Sequence, residues 1–366
     1  MSGVLHTTRM ASLRLSLRPV FVSSQHQWRR IYYQTHKINS HCCRSFHRRP
    51  SQYSMACQRP RLRTADFVAE QGEVLSTTSR WENARTFKMG TFNLLAPCYK
   101  TIAPGSWKTW WGGQKESAHP DQFLSRYEEI FKIFEALPAF DFLCLQEFWF
   151  DCGIAELFEK RIGDRYYILK HRRPTRHDGV ALLVSRNFRI KDVEYIKYND
   201  IGMRVALLAH VVDPDTNQEA VIVTTHLTYL ANYLDQFTRM TQAKKLVEAI
   251  ESYMQGLHGK DIPVFLAGDF NGSPSGPIYK FFSEHGFRSS YFNYHGREPL
   301  ITHLDHNSSV LAVDYIFYRM PEELQCKVDD AYLVPRDRSD TEWPSDFTAS
   351  DHRLVFSEIS VSERFS

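Results

Sequence analysis

No aspartate or glutamate occurs in the first 65 residues of this 366-residue chain, although that stretch carries eleven of its arginines and one of its lysines. Residues 66–366 hold the other 33 of the 45 basic residues and all 42 acidic ones, a net charge of −9. The overall charge of +3 is therefore an average of two opposed segments. It does not argue for a broad positive track along a nucleic-acid backbone. Long apolar runs are missing too. Nothing approaches the roughly 18 apolar residues of a membrane-spanning helix, so stable membrane insertion is not expected. The start of the chain also lacks the uninterrupted apolar core, about 7–15 residues long, of a secretory signal. The 7 cysteines are odd in number and show no Cys-x-x-Cys spacing, which speaks against a zinc ribbon and a disulfide framework and for a reducing compartment.

The acid-free leader, residues 1–65, has the Arg- and Ser-rich composition of an organelle transit peptide. Arg9, Arg14 and Arg18 alternate with Met10, Leu13, Leu15, Leu17, Val20 and Phe21, a pattern that fits a basic amphipathic helix. Import into mitochondria or plastids is the expectation. A basic tail on a cytoplasmic protein, or translation from Met10 or Met55, is the alternative. Residues 66–85 read as a linker. Residues 86–362 read as one continuous domain without repeats or low-complexity tracts, expected to be monomeric.

Within that domain helical and extended patterns alternate, which places it among α/β proteins. Phe123, Tyr127, Ile130, Phe134 and Leu137 recur at helical spacing over Gln122–Leu137, and Pro138 ends the run. Phe237, Met240, Ala243, Val247, Ile250 and Met254 mark one face of a second helix, and Pro277 and Gly286 bracket a third. Phe142–Leu145, Gly179–Val184, Val205–Val212, Ala220–Thr225, Ile262–Ala267 and Val313–Tyr318 read as buried strands.

The chemistry-bearing residues lie where these strands run out: Asn93, Glu147, His226, Asp269 with Asn271, Asp314, and Asp351 with His352. No serine or cysteine joins them in a nucleophile motif. Carboxylates and amides offer hard oxygen ligands for magnesium or manganese, and histidines handle protons or charge beside such an ion. Asp269 and Asn271 are two apart, so an extended chain turns both to one side. Asp314 sits inside an apolar strand and needs a partner, for which a histidine is the obvious choice. Each motif alone has a plainer reading: Gly-Asp-Phe-Asn-Gly is a common strand exit, and a lone acid or histidine at a strand end is usually a satisfied structural residue. A basic loop with His171, Arg172, Arg173, Arg176 and His177 precedes Asp178. It reads equally as a phosphate grip or as a solvated turn. Trp107, Trp110 and Trp111 with Lys108 and Lys115 read as a base-stacking lip or as a packed insertion. His303, Asp305 and His306 have ligand chemistry but sit in a loop rich in hydrogen-bonding residues.

Taken in order, Asn-Leu-Leu-Ala-Pro from Asn93, Leu-Gln-Glu-Phe, Asp-Gly-Val-Ala, Thr-Thr-His-Leu, Gly-Asp-Phe-Asn, Val-Asp-Tyr-Ile-Phe-Tyr and Ser-Asp-His resemble the endonuclease/exonuclease/phosphatase superfamily with the deoxyribonuclease I-like fold. Within it the chain looks most like the carbon catabolite repressor 4 branch, which includes nocturnin and the angel proteins, and like a plant subgroup named for calcium binding. No EF-hand loop is present, so calcium binding is not carried over. The resemblance implies a two-sheet sandwich flanked by helices. It implies a metal-dependent phosphodiesterase acting on RNA ends, deadenylase-like, or alternatively a phosphatase of a small phosphorylated metabolite such as a dinucleotide or inositol phosphate. Glu147, Asn93 and Asp351 would hold magnesium or manganese, and Asp269 would orient or deprotonate water. His226 and Asn271 would contact phosphoryl oxygens, and Asp314 would support His352 in the transition state. Asn93, Arg173, Arg176 and Asp178 would bind an RNA or nucleotide-type substrate. Two departures from that branch stand out. No leucine-rich-repeat docking module precedes the domain, and Thr-His-Leu continues into Thr228-Tyr229-Leu230-Ala231-Asn232.

Overall fold

Residues 84–103, 113–229, 233–257, 262–305 and 310–364 are described in a computed structural model of the protein. The leader, nearly all of the linker, the three loop tryptophans with Lys108, and His306 lie outside them. Strands β1 (Arg85–Asn93), β2 (Phe142–Trp149), β3 (Tyr166–Arg172) and β4 (Asp178–Ser185) begin the first sheet. The chain then crosses to a second sheet, made of β5 (Arg189–Lys197), β6 (Val205–Val212), β7 (Glu219–His226), β8 (Val264–Asp269), β9 (Arg288–Ser289) and β10 (Asp314–Arg319). It returns to the first with β11 (Leu324–Val334) and β12 (Leu354–Glu363). The strand orders are β11-β12-β1-β2-β4-β3 and β9-β10-β8-β7-β6-β5. Helices α1 (Pro120–Ala136) and α2 (Ile154–Ile162) cover the first sheet, and α3 (Tyr233–Gly256) and α4 (Pro277–Glu284) cover the second. A fifth, short helix, α5 (Ser290–His295), links β9 to the loop before β10.

This layering explains why the central strands read as unbroken apolar runs, since both faces are buried. Phe142 and Cys144 of β2 point between the sheets, where they meet residues such as Leu207, Ile222 and Phe265. Their neighbours Leu143 and Leu145 point outward onto Phe123, Tyr127 and Phe131 of α1. On the far side, Val221, Val223 and Leu266 pack against Ala243, Leu246 and Ile250 of α3. The expected strands coincide with observed ones to within a residue or two at most ends. β2 is the exception, running on to Trp149. Of the long strands for which the sequence reading gave no bounds, β1 and β12 lie inside the first sheet, and β3, β5 and β11 are edge strands. Their alternating exposure leaves no continuous apolar signal. Phe237 was expected on the buried face of α3 but is exposed, because the packed part of that helix begins at Met240.

One buried charge ties distant loops together. Arg126 of α1 donates through Nη1 to the carbonyls of Leu94, at 2.7 Å, and Ala349, at 3.0 Å, and through Nη2 to Leu95, at 2.7 Å. Its charge is met by Glu116, whose Oε2 accepts from Nη2 at 2.6 Å. The segment after β1 is thereby fixed to the segment before β12. Both side chains are almost fully buried. Replacing Arg126 with Met leaves the buried Glu116 carboxylate only Lys100, at 3.4 Å, and frees three carbonyls; breaking a buried pair typically costs about 3–5 kcal/mol. We expect Arg126→Met to lose stability on that scale in urea unfolding. The double variant with Glu116→Gln should recover a large part of it, and absence of recovery would show that the charge pairing is not what holds these loops.

Candidate active site

Strand pairing alone brings the predicted residues together. In the parallel pair β1–β2, Asn93 lies beside Gln146; in the parallel pair β7–β8, His226 lies beside Asp269. Antiparallel β10 starts at the same level, with Asp314 opposite Asp269. Asp351 and His352 immediately precede β12, whose Val355 lies beside Thr91 of β1. Gly268 permits the approach of β8 to β7, since a Cβ there would stand 2.1 Å from the Thr225 carbonyl oxygen. Glu147 occupies a bulge between Gln146 and Phe148, with φ at 52°. Gln146 stays between the sheets, bonded to Thr91 and Thr224, while Phe148 stays in the outer layer. The extra residue is thereby turned out of the ladder, as bulges beside functional sites commonly do.

Asp269 is the hub. Its Oδ2 accepts from Asn93 Nδ2 at 3.1 Å and lies 3.4 Å from His226 Nε2 and 3.7 Å from His352 Nε2. Its Oδ1 accepts from the Asn271 backbone at 2.9 Å. Asn93 Nδ2 also reaches Glu147 Oε1 at 3.5 Å, and Glu147 Oε2 accepts from the Ala96 backbone at 2.8 Å. The Asn271 side chain, on a residue with φ at 49°, donates to the Leu227 carbonyl at 3.0 Å and sits 3.2 Å from His226 Nε2. Asp314 Oδ2 and His352 Nδ1 pair at 2.9 Å. His303 stacks on His352 with ring centroids 4.0 Å apart, and its Nε2 is 3.8 Å from Asp351.

The charge states follow from these neighbours. Burial raises the Asp269 carboxyl, and Asp314 raises it further, against the pull of His352 and His303. Burial, with Asp351 and Asp178, pushes Glu147 up to about 7. Burial, with Arg204 and Arg173 nearby, holds His226 well below the ordinary histidine value, so it is neutral. Burial also opposes charge on His352, but Asp314, then Asp269 and Asp351, outweigh it and raise that imidazole to about 10. Asp351 remains below the usual carboxylate value despite burial, because His303 and His352 face it.

Glu147, His226, Asp269, Asn271, Asp351 and His352 line one cleft of about 610 Å³. Asn93 and Asp314, both almost fully buried, stand behind its wall and orient the others. From the basic loop, Arg173 and Arg176 reach the cleft. Asp178 does not line it; it is buried and held by Arg173 Nη1 at 2.8 and 3.1 Å and by the Tyr99 hydroxyl at 3.0 Å. Arg172 and His177 turn to Asp151 instead, and His171 bonds the Ala206 carbonyl across the sheets. Tyr99, Arg204, Tyr229 and His303 also line the cleft, although the strand-end motifs did not single them out as site residues. The signal for Arg204 was present. It immediately precedes strand β6, and antiparallel pairing of Ala206 with Thr225 carries the start of that strand to the edge where β7 ends.

The ligand chemistry suits a divalent cation. Two groups, His303–Asp351–His352 and Asp269–Asp314–His352, each bring ligand atoms within 4.8 Å of one another. The Glu147 carboxyl, crowded by acids, is in the surroundings that a cation relieves. Without an ion, the Asp314–His352 pair should leave a pH signature. The pKa of His352 is raised on folding, so its contribution to stability is complete below the free value near 6.5 and fades as pH rises towards about 10. In EDTA, the stability advantage of wild type over Asp314→Asn in urea unfolding should be largest near pH 6 and shrink steadily to pH 10. A difference independent of pH would mean that the pair is not charged.

Comparison with known proteins agrees with this arrangement. An uncharacterized calcium-binding protein of Arabidopsis thaliana is 29% identical over 251 residues, 64% of this chain and 51% of that protein. The chain thus spans about half the length of that relative. The human nocturnin catalytic domain with bound sulfate superposes with a TM-score of 0.56 at 20% identity, covering 76% of this chain and 95% of that one. ANGEL2, a 2′,3′-cyclic phosphatase in complex with adenosine-2′,3′-vanadate, gives a TM-score of 0.55 at 17% identity over 76% of this chain and 97% of that one. These structures share the two-sheet fold. The model of the Endonuclease/Exonuclease/phosphatase family matches residues 90–352, from β1 to His352 itself. Every strand end that builds the cleft falls inside that match, and the chain belongs to the Endonuclease/Exonuclease/phosphatase family.

Proposed function

We propose that the chain is a magnesium- or manganese-dependent phosphodiesterase of RNA ends, of the 3′-exoribonuclease type. The observation that carries this reading is the juxtaposition, on one wall of the cleft, of a carboxylate hub and a charged imidazole 3.7 Å apart. Asp269, made more basic by burial and Asp314, faces His352, kept cationic by Asp314. Glu147 and Asp351 would hold the ion, with Asn93 steadying Glu147. The bound ion would supply charge neutralisation at the phosphoryl oxygens. Asp269 aligns the attacking water and takes its proton. Neutral His226 and the Asn271 amide lie beside Asp269 on the same wall and contact a phosphoryl oxygen. His352 stabilises the negative charge that grows in the transition state. The likeness to ANGEL2, a 2′,3′-cyclic phosphatase solved with adenosine-2′,3′-vanadate, supports a nucleotide-type substrate. A small phosphorylated metabolite is the second reading. It is favoured by the net charge of −9 over residues 66–366 and by a cleft of about 610 Å³, within the usual range for a small-molecule site.

Activity should require magnesium or manganese and disappear on chelation. Asp269→Asn removes the base while keeping size and most hydrogen bonds. We expect kcat to fall by about 10²–10⁴-fold, the usual worth of general-base catalysis. KM should move far less, because the group acts mainly in the transition state. Steady-state kinetics on a short oligoadenylate, with circular dichroism as a folding control, reads both. A folded variant that retains more than about a tenth of wild-type kcat would remove Asp269 from this role.

A further inference from the structure

The wall of the cleft beside His226 carries more positive charge than its neighbours balance. Arg173 is 7% exposed and already committed, through Nη1, to Asp178 and the Tyr99 hydroxyl, yet its Nε has no partner. Arg204, half-buried just before β6, has its Nη1 buried and without any partner. Among the described residues its guanidinium forms no ion pair. The two guanidiniums are close enough to repel: after burial, Arg173 is the largest cause of the depressed Arg204 pKa. Asp178 offsets one charge, and Glu147, the next acid, is needed by the ion in the reading above. Arg176 and Lys115 add two more cations to the same cleft.

Burying like charges with open donors is costly unless something anionic completes the set. Planar guanidinium donors match phosphate oxygens in pairs. A pair of them with open donors on one wall has the chemistry of an anion site. The phosphoryl group under attack must sit among Asp269, Asn271, His226 and His352. Arg173 and Arg204 enter from elsewhere, the β3–β4 and β5–β6 turns, which Arg173 joins by donating to the Gly202 carbonyl at 2.5 Å.

We propose that Arg204, with Arg173 and Arg176, forms a second phosphate subsite, so that the substrate carries a phosphate flanking the phosphoester that is cleaved. This deepens the hydrolase reading and rests on it for the identity of the scissile group. A flanking phosphate occurs both in an RNA strand and in a small bisphosphorylated nucleotide. Arg204 is the specificity residue of the set, since it has no structural partner to lose.

Three measurements on the full chain test this. In EDTA, without any ion to hold phosphate, calorimetry with adenosine 3′,5′-bisphosphate should show binding to wild type. Arg204→Gln should weaken it at least about tenfold, the worth of a charge-assisted hydrogen bond, and Arg204→Lys should fall between. Thermal unfolding of Arg204→Gln should show no loss of stability, whereas a structural role would lower the midpoint. With magnesium, the ratio of kcat/KM for the bisphosphate to that for adenosine 3′-monophosphate should exceed ten in wild type and collapse towards one in Arg204→Gln. Running a short oligoadenylate beside the bisphosphate separates polymer from small molecule as the source. Equal affinities in wild type and Arg204→Gln, or an unchanged ratio, would overturn the subsite. Binding that depends on Arg204 without hydrolysis of any of these substrates would instead overturn the hydrolase reading and leave the subsite standing.

Discussion

The parallel pairings at the centre of each sheet are the constraint on which the rest depends. β1 beside β2 and β7 beside β8 deliver two chain ends from each sheet to one edge of the sandwich. Once Asp269 is level with His226 and Asp314, and Asn93 with Gln146, the polar side chains have few directions open to them. A one-residue slip in β7 or β8 would turn His226 or Asp269 to the other face and bury the wrong side chains throughout the strand. The hydrophobic alternation that holds register for stability therefore holds the chemistry as well. The bulge at Glu147 departs from that alternation, and it turns into the cleft a carboxylate that strict alternation would have placed in the outer, helix-covered layer.

Most of this was legible in the sequence because buried central strands announce themselves twice, by continuous apolar runs and by the polar residue that ends each run. Asp269, His226, Asp314 and His352 were found that way, and all four converge. Edge strands β3, β5 and β11 gave no such signal, since half of each faces solvent. Arg204 was passed over because it precedes a strand, and only knowledge of antiparallel pairing places a strand's start beside another's end. Asp178 showed the opposite failing. Its Asp-Gly-Val-Ala context looked like a substrate contact, but one-dimensional pattern could not show that Arg173 and Tyr99 already engage its carboxylate.

The cleft is electrostatically divided. One side gathers Glu147, Asp269, Asp351 and the Asp314 behind them, with His352 as the charged counterpart. The other gathers Arg173, Arg176, Arg204 and Lys115. On the proposed reading, a phosphoester lying across that division would meet the carboxylates that hold the ion and activate water on one side and the guanidiniums on the other. His226, at the junction, is kept neutral by burial and by the two arginines.

Anomalous diffraction from crystals grown with manganese tests the central claim most directly, because it locates the ion without reference to turnover. The account predicts a peak bonded to carboxylate oxygens of Glu147 and Asp351, at about 2.0–2.3 Å for an oxygen-ligated divalent ion, on the same side of the cleft as Asp269. An ion held elsewhere, or a cleft that stays empty of manganese at millimolar concentration, would contradict it.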